Sequence, residues 1–236
     1  CMVDQGYDTK LNADCEDDWI VIPRRHRLDA DKWEVVDDGR PPVDYMYIAY
    51  PYERPYDRRC GLYGGGIDKQ RQVDRKDILV DDTMSWQGSC YFTKKSYWDK
   101  LFPDGMDEEN YGPFNHEAQE IGFKCQLSGG RLVVNKKTWY AHFHKGHSGK
   151  GYGFSREQYK RHETAKEKSR RFAMNFWLNN MWDKRTRDFK WLIDTFNPPG
   201  WPKDWETRIH EDAKKDWSKD PTQQPSEWIN LEELKI

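Results

Sequence analysis

The chain has 236 residues, enough for one large domain or two small ones, and its 36% apolar content is offset by twelve Trp, thirteen Tyr and ten Phe that each bury a large area. A formal net charge of −2 argues against holding nucleic acid by bulk electrostatics, although a local basic patch is allowed. No apolar run approaches the ~20 residues that span a bilayer, and no signal peptide is visible.

The cysteines (Cys1, Cys15, Cys60, Cys90, Cys125) are odd in number, scattered and never in a CxxC pair. That pattern fits a reducing cytoplasm better than a disulfide framework or a structural zinc site. Cys1 precedes Met2, and the chain opens as if inside a continuing element, so further sequence is expected upstream.

In chain order, residues 4–13 suit a short helix with Tyr7 and Leu11 on one face. Trp19-Ile20-Val21-Ile22-Pro23 reads as a β-branched strand ended by proline, followed by the basic run Arg24-Arg25-His26-Arg27. Residues 28–76 read as strands separated by long loops, a common setting for functional rims. Tyr63-Gly64-Gly65-Gly66 is too flexible for a core element and lacks the strand–GxGxxG–helix context of a dinucleotide site. Asp81-Asp82 is a metal candidate, but adjacent carboxylates after a strand are more often a solvated turn. In Trp86-Gln87-Gly88-Ser89-Cys90-Tyr91-Phe92, a glycine between an aromatic and a strand either admits a ligand close to the backbone or marks a bulge in a buried strand. Ser96 to Leu101 suits a short helix, and Asp104 to Pro113 an acidic loop.

The stretch from Phe114 to Gly146 is the richest. Phe114, Ala118, Ile121 and Cys125 have the spacing of one helical face, leaving Glu117, Glu120 and Lys124 on the other. Ser128-Gly129-Gly130 supplies a helix stop. Arg131–Val134 and Thr138–Phe143 read as two short strands, the second ending in His142-Phe143-His144-Lys145. A glycine-rich basic loop comes next, His147 to Gly153, either a lid whose cations meet a phosphate or a linker. Ser155 and Gln158 form a capping box that starts a long helix reaching about Trp182, with a basic face between Arg156 and Arg171. A second helix, about Thr186 to Phe196, stops at Pro198-Pro199-Gly200, and the rest looks like a tail held by Trp201, Trp205, Trp217 and Trp228.

Taken together, the segment Trp86 to Phe92, the acidic loop after it, and Asn115 to Gly146 resemble the acceptor half of a family 2 glycosyltransferase of the GT-A fold. The likeness extends to the polypeptide N-acetylgalactosaminyltransferases and, more nearly, to phage-encoded and bacterial family 2 enzymes. It covers residues 14–153. It implies an α/β, GT-A-like mixed sheet flanked by helices over residues 1–153, with a helical C-terminal extension over 154–236. By the same resemblance Trp86 and Gly88 border the donor sugar, Glu117 and Glu120 match the two helix glutamates, and His142 matches the histidine that completes a metal site. The expected cofactor is a divalent cation, manganese or magnesium, and the expected partners are a nucleotide-sugar donor and a glycan, protein or nucleic-acid acceptor.

Two departures stand out. Asn115-His116 replaces the two glycines that precede the first glutamate, and the N-terminal nucleotide-binding half that ends in Asp-x-Asp or Asp-x-His is absent. Cys1 to Asp8 resembles the segment directly after that motif, so the transferase is expected to be incomplete in this chain. Chemically, a leaving diphosphate needs a divalent cation plus Lys or Arg, which assigns Lys145 and Lys150 to the donor on loop closure. An acceptor hydroxyl needs a general base if configuration inverts, which assigns Glu117. His144 reads as a supporting or structural residue. Two other readings stay open. One is a non-catalytic carbohydrate-binding module using Trp86, Tyr91, Trp139 and Tyr140. The other is a phage enzyme that glycosylates hydroxymethylated DNA bases, with the basic helix tracking phosphates.

Overall fold

The computed structural model describes residues 1–52, 61–62, 64–111, 117–143 and 169–213. The strands are β1 (Met2–Val3), β2 (Trp19–Asp29), β3 (Glu34–Val35), β4 (Met46–Ile48), β5 (Gly64–Ile67), β6 (Val80–Asp82), β7 (Phe92–Thr93) and β8 (Arg131–His142). The helices are α1 (Tyr7–Ala13), α2 (Lys69–Asp74), α3 (Lys95–Leu101), α4 (Glu108–Tyr111), α5 (Glu117–Leu127), α6 (169–178), α7 (Phe189–Phe196) and α8 (Trp205–Ala213). The result is a mixed sheet flanked by helices, the class expected of a GT-A-like domain.

The sheet is built on one parallel pair. β2 runs alongside β8 with Ile20 opposite Leu132, Val21 opposite Val133 and Ile22 opposite Val134. Both runs are apolar at consecutive positions because both faces are covered, as parallel strands require. On one face Val21 and Val133 pack with Leu11 and Cys15 beneath α1. On the other, Ile20, Ile22, Leu132 and Val134 join the main core, which includes α5 and the C-terminal helices. Phe123 of α5 meets Trp177 and Phe189 edge-on, with ring centroids 5.2 and 5.4 Å away. Antiparallel neighbours complete the sheet: β6 and β1 on the outer side of β8, β7 and β3 on the outer side of β2.

Several expectations need correction. The strand at Trp19 does not stop at Pro23 but continues to Asp29. The parallel register breaks just after Pro23, where the proline has no N–H to donate to the ladder. The two short strands expected between Arg131 and Phe143 are one strand, β8. Across the break Pro23 faces Asn135 and Arg24 faces Trp139, so Lys136, Lys137 and Thr138 have no partner in β2. The Lys136 N–H donates to the Leu79 carbonyl at 2.7 Å, and side chains anchor the rest of that excursion. Lys136 Nζ donates to the Arg75 carbonyl at 2.5 Å, Asn135 Nδ2 and Lys137 Nζ both reach Asp14 at 2.9 Å, and the Thr138 hydroxyl donates to Asp4 at 3.1 Å.

The glycine run does form a strand, β5, paired only with β4 in a separate two-stranded sheet. Asp81-Asp82 is not a solvated turn. Asp81 is buried in β6, accepts from the Tyr45 hydroxyl at 2.6 Å and is held by Arg75, while Asp82 binds Arg131 at 2.9 Å. Trp86 to Tyr91 is a loop rather than a strand, and the acidic loop contains α4. The helix expected from Thr186 begins at Phe189, where Asp188 caps it by accepting from the Trp191 N–H at 2.7 Å. The end of α5 matches the glycine stop: Gly129 has φ +101°, and a Cβ on Gly130 would lie 2.1 Å from the Tyr97 hydroxyl and 2.4 Å from the Asp18 carbonyl. The capping box and most of the basic helix lie outside the described residues, as do Trp217, Trp228 and Cys60. No helix among the described residues is long and apolar enough to cross a membrane.

Gly130→Ala should destabilise the fold by about 1–3 kcal/mol or more, because the clash is partly with rigid backbone; urea unfolding of the variant measures it. A second expectation concerns acid. Burial pushes the Asp81 carboxyl up, but its hydrogen bonds from Arg75 and Tyr45 leave it net below the ordinary range. A depressed carboxylate stabilises above its unfolded value of about 4 and loses that contribution as pH falls below it. Wild type should therefore lose stability on acidification below about pH 4, and Asp81→Asn should flatten that part of the curve, as equilibrium unfolding across pH would show.

Candidate active site

The structure brings Glu117 against Gly88. A Cβ at Gly88 would lie 3.0 Å from both Cγ and Oε1 of Glu117 and 3.3 Å from Cβ of Ala118. Glycine at this point therefore lets the first turn of α5 and the 86–91 loop close on each other. Trp86 locks the approach from below. It is only 5% exposed, and its indole N–H donates to the Ala118 carbonyl at 2.9 Å. Buried in that way, its ring supports the loop and offers no open face to a sugar.

The same loop reaches β8. The Tyr140 hydroxyl lies 3.5 Å from both the Ser89 hydroxyl and the Gln87 carbonyl. His142 comes two residues later on the strand, at the C-terminal end of the parallel pair, where open α/β sheets tend to present ligands. The register sets Arg25 beside Tyr140 and Arg27 beside His142. Burial lowers the pKa of the Arg25 guanidinium, and the Tyr140 charge opposes that shift. Burial, and then Arg25, hold His142 below its ordinary value. Both favour the neutral imidazole, the form that ligates metal. Its Nδ1 lies 3.1 Å from Cys1 Sγ, because β1 runs antiparallel to β8 with Met2 opposite Ala141.

Tyr91 adds an accessible aromatic at the Glu117 end. It is 36% exposed, stacks on Trp98 with centroids 6.0 Å apart, and meets Trp86 edge-on at 5.0 Å. Burial and the nearby Glu117 carboxylate raise its pKa. Glu117, Gly88, Ser89, Tyr140, Arg25 and His142 thus form one connected chain of contacts from the helix start to the strand end.

Glu120 stands apart from this set. The helical pattern puts it on an exposed face, yet it is 1% exposed, with Lys124, the Asp107 backbone and Tyr111 beside it. Its Oε1 accepts from Lys124 at 2.6 Å and from the Asp107 N–H at 3.3 Å, which ties the helix to the acidic segment before it. Lys145, Lys150 and His144, and Asn115-His116, lie outside the described residues. Arg25 was not singled out from the sequence; the signal was the run Arg24 to Arg27 directly after an apolar strand.

Among the described residues no three His, Cys, Asp or Glu side chains come together to hold a metal ion. His142 supplies one imidazole. A hard divalent cation takes about six ligands, mostly oxygens, so this donor set does not complete a site.

No family model matches the chain, and no curated protein matches it. Among solved structures it is similar to the crystal structure of GalNAc-T7 with UDP, GalNAc and Mn2+, at 14% identity and a TM-score of 0.48. The match covers 81% of this chain and 38% of that one, so the chain spans well under half the length of that protein.

Burial pushes the Cys90 thiol up to about 11 and the Cys125 thiol to about 12, whereas Cys1 is exposed. At pH 8 a thiol with a pKa of 11 is thiolate only about one part in a thousand. Alkylation at pH 8 with subsequent peptide mass mapping should label Cys1 first and leave Cys90 and Cys125 unmodified in the folded chain.

Proposed function

We propose that the chain carries the acceptor side of a glycosyltransferase, moving a sugar from a nucleotide-sugar donor to a hydroxyl acceptor. The observation that carries this reading is the placement of Glu117 against Gly88, on a loop that touches Tyr140, with His142 and Arg25 at the strand end. The reaction needs a carboxylate on one side of the sugar and a cation on the other. The hydroxyl must lose a proton at one side of the sugar carbon while negative charge develops on the diphosphate at the other.

In this reading Glu117 accepts the acceptor proton if configuration inverts, and holds the sugar if configuration is retained. Gly88 lets the loop close against Glu117 at the sugar's edge. Trp86 fixes the loop, and Glu120 fixes the helix that presents Glu117. Arg25 neutralises the leaving diphosphate, joined by Lys145 and Lys150 from the loop after β8. His142 is one ligand of a manganese or magnesium ion that would polarise the diphosphate, with carboxylates contributed by a nucleotide-binding half. β1 would bring a segment joined ahead of Cys1 to His142. Among the described residues Cys1, Cys15, Cys90 and Cys125 are free thiols, which favours a reducing, cytoplasmic setting. A phage or bacterial family 2 origin is part of this proposal, as is the division into residues 1–153 and a helical extension over 154–236.

A pure carbohydrate-binding module is less well supported. Two of the four aromatics it would use, Trp86 and Tyr140, are 5% and 3% exposed and have no open face for stacking. The basic helix needed for a DNA acceptor falls mostly outside the described residues.

In the complete enzyme, Glu117→Gln should reduce transfer at least a hundredfold, since general-base catalysis contributes about 10²–10⁴-fold, while the unfolding free energy from urea titration stays within about 0.5 kcal/mol of wild type. Near-normal turnover would remove Glu117 from the mechanism. His142→Ala should shift the manganese titration to higher concentration, and an unchanged titration would remove His142 from the metal.

A further inference from the structure

A second basic feature lies beside the proposed site. Between β2 and the 36–43 segment is a cavity of about 90 Å³ lined by Arg25, His26, Arg27 and Arg40, with Val36 and Pro42 among its walls. A water needs about 10–15 Å³ of such space, so the cavity holds several waters and admits one tetrahedral oxyanion. The segment that closes it is tied to β2 by the reciprocal backbone bonds of Arg25 and Val43, at 3.1 and 2.8 Å, so the cavity is part of the fold.

Its lining is strongly cationic. Arg27 and Arg40 share a single carboxylate, Asp38, so a positive charge is left over between them, and Arg25 adds a third guanidinium to the walls. Asp44 is engaged by Arg24 in a two-pronged pair at 2.7 and 2.8 Å and does not line the cavity. Arg27 also carries a buried Nε with no hydrogen-bond partner, a donor whose desolvation is unrepaid in the protein alone.

We infer that this cavity binds a tetrahedral oxyanion of the phosphate-monoester class, with Arg27 and Arg40 as its principal donors. A phosphate monoester carries about −1.5 to −2 charges at neutral pH, enough to engage both arginines at once, and guanidinium pairs with phosphate oxygens through parallel N–H bonds. Arg25 lines this cavity and also stands beside Tyr140, so an acceptor bearing a phosphate would present its hydroxyl toward the proposed catalytic site. That last step rests on the proposed transferase reading; the anion site does not.

Calorimetric titration of the full chain with inorganic phosphate in low chloride tests the site without any transfer assay. Wild type should bind one equivalent saturably. Arg27→Gln and Arg40→Gln should each weaken binding at least tenfold, while Lys190→Ala, on α7, should leave it unchanged. Arg40 is largely exposed, so its variant should keep the wild-type thermal midpoint even if loss of the Arg27–Asp38 pair perturbs folding. Absence of saturable binding, or equal affinity in Arg40→Gln and wild type, would overturn the inference. Glucose 6-phosphate that binds more tightly than phosphate would identify a phosphorylated sugar as the source, and equal binding would identify the free anion. Phosphate binding by the full chain, with no detectable sugar transfer by the complete enzyme, would uphold this site and count against the transferase.

Discussion

The parallel contact between β2 and β8 is the constraint on which the other features depend. Both strands are apolar at consecutive positions, so neither can be left with a face in water. α1 must cover one side, and α5 with the C-terminal helices must cover the other. Each consequence is then local: α5 lies where its first turn meets the 86–91 loop, and the strand ends deliver Arg25, Tyr140 and His142 to one edge. The buried polar groups serve this arrangement. Glu120 with Lys124 fixes the helix, and Asp81 with Arg75 and Tyr45 fixes β6 against β8.

Much of this architecture could be read from residue pattern. The apolar spacing of α1, the Ser-Gly-Gly stop after α5, the β-branched strands and the helix before Pro198 are all local signals. The candidate site was legible where it depended on a glycine beside an aromatic, a glutamate at the start of a helix and a histidine at the end of a strand. What escaped was tertiary. Glu120 has the spacing of an exposed residue and is buried where the segment at Asp107 folds back on α5. Asp81 looks like a turn and is paired through Arg75 and Tyr45. Pro23 looks like a terminator and lies at a register break, which removes the objection to a proline inside the sheet. Arg25 acquires significance from the neighbour the ladder gives it, a relation no local pattern contains.

The charged residues divide into two populations. One is structural and paired: Asp44 with Arg24, Asp82 with Arg131, Asp14 with Lys137. The other gathers at the far end of β2, where Arg27 and Arg40 divide one carboxylate between them. Crowding partly buried cations is unfavourable unless an anion compensates, so such an accumulation around one cavity is more informative than the near-neutral total charge.

The three residues of β8 that stand opposite nothing in β2 divide the ladder into two segments that keep step independently. Lengthening or shortening the chain within 136–138 would change the size of a side-chain-anchored loop and spare the alignment on either flank. Loss of one residue from 19–22 or from 139–142 would instead turn every later side chain to the opposite face. Drift in length is thus tolerable at one point of the central strand pair and ruinous on both sides of it, a molecular hinge for divergence rather than for motion.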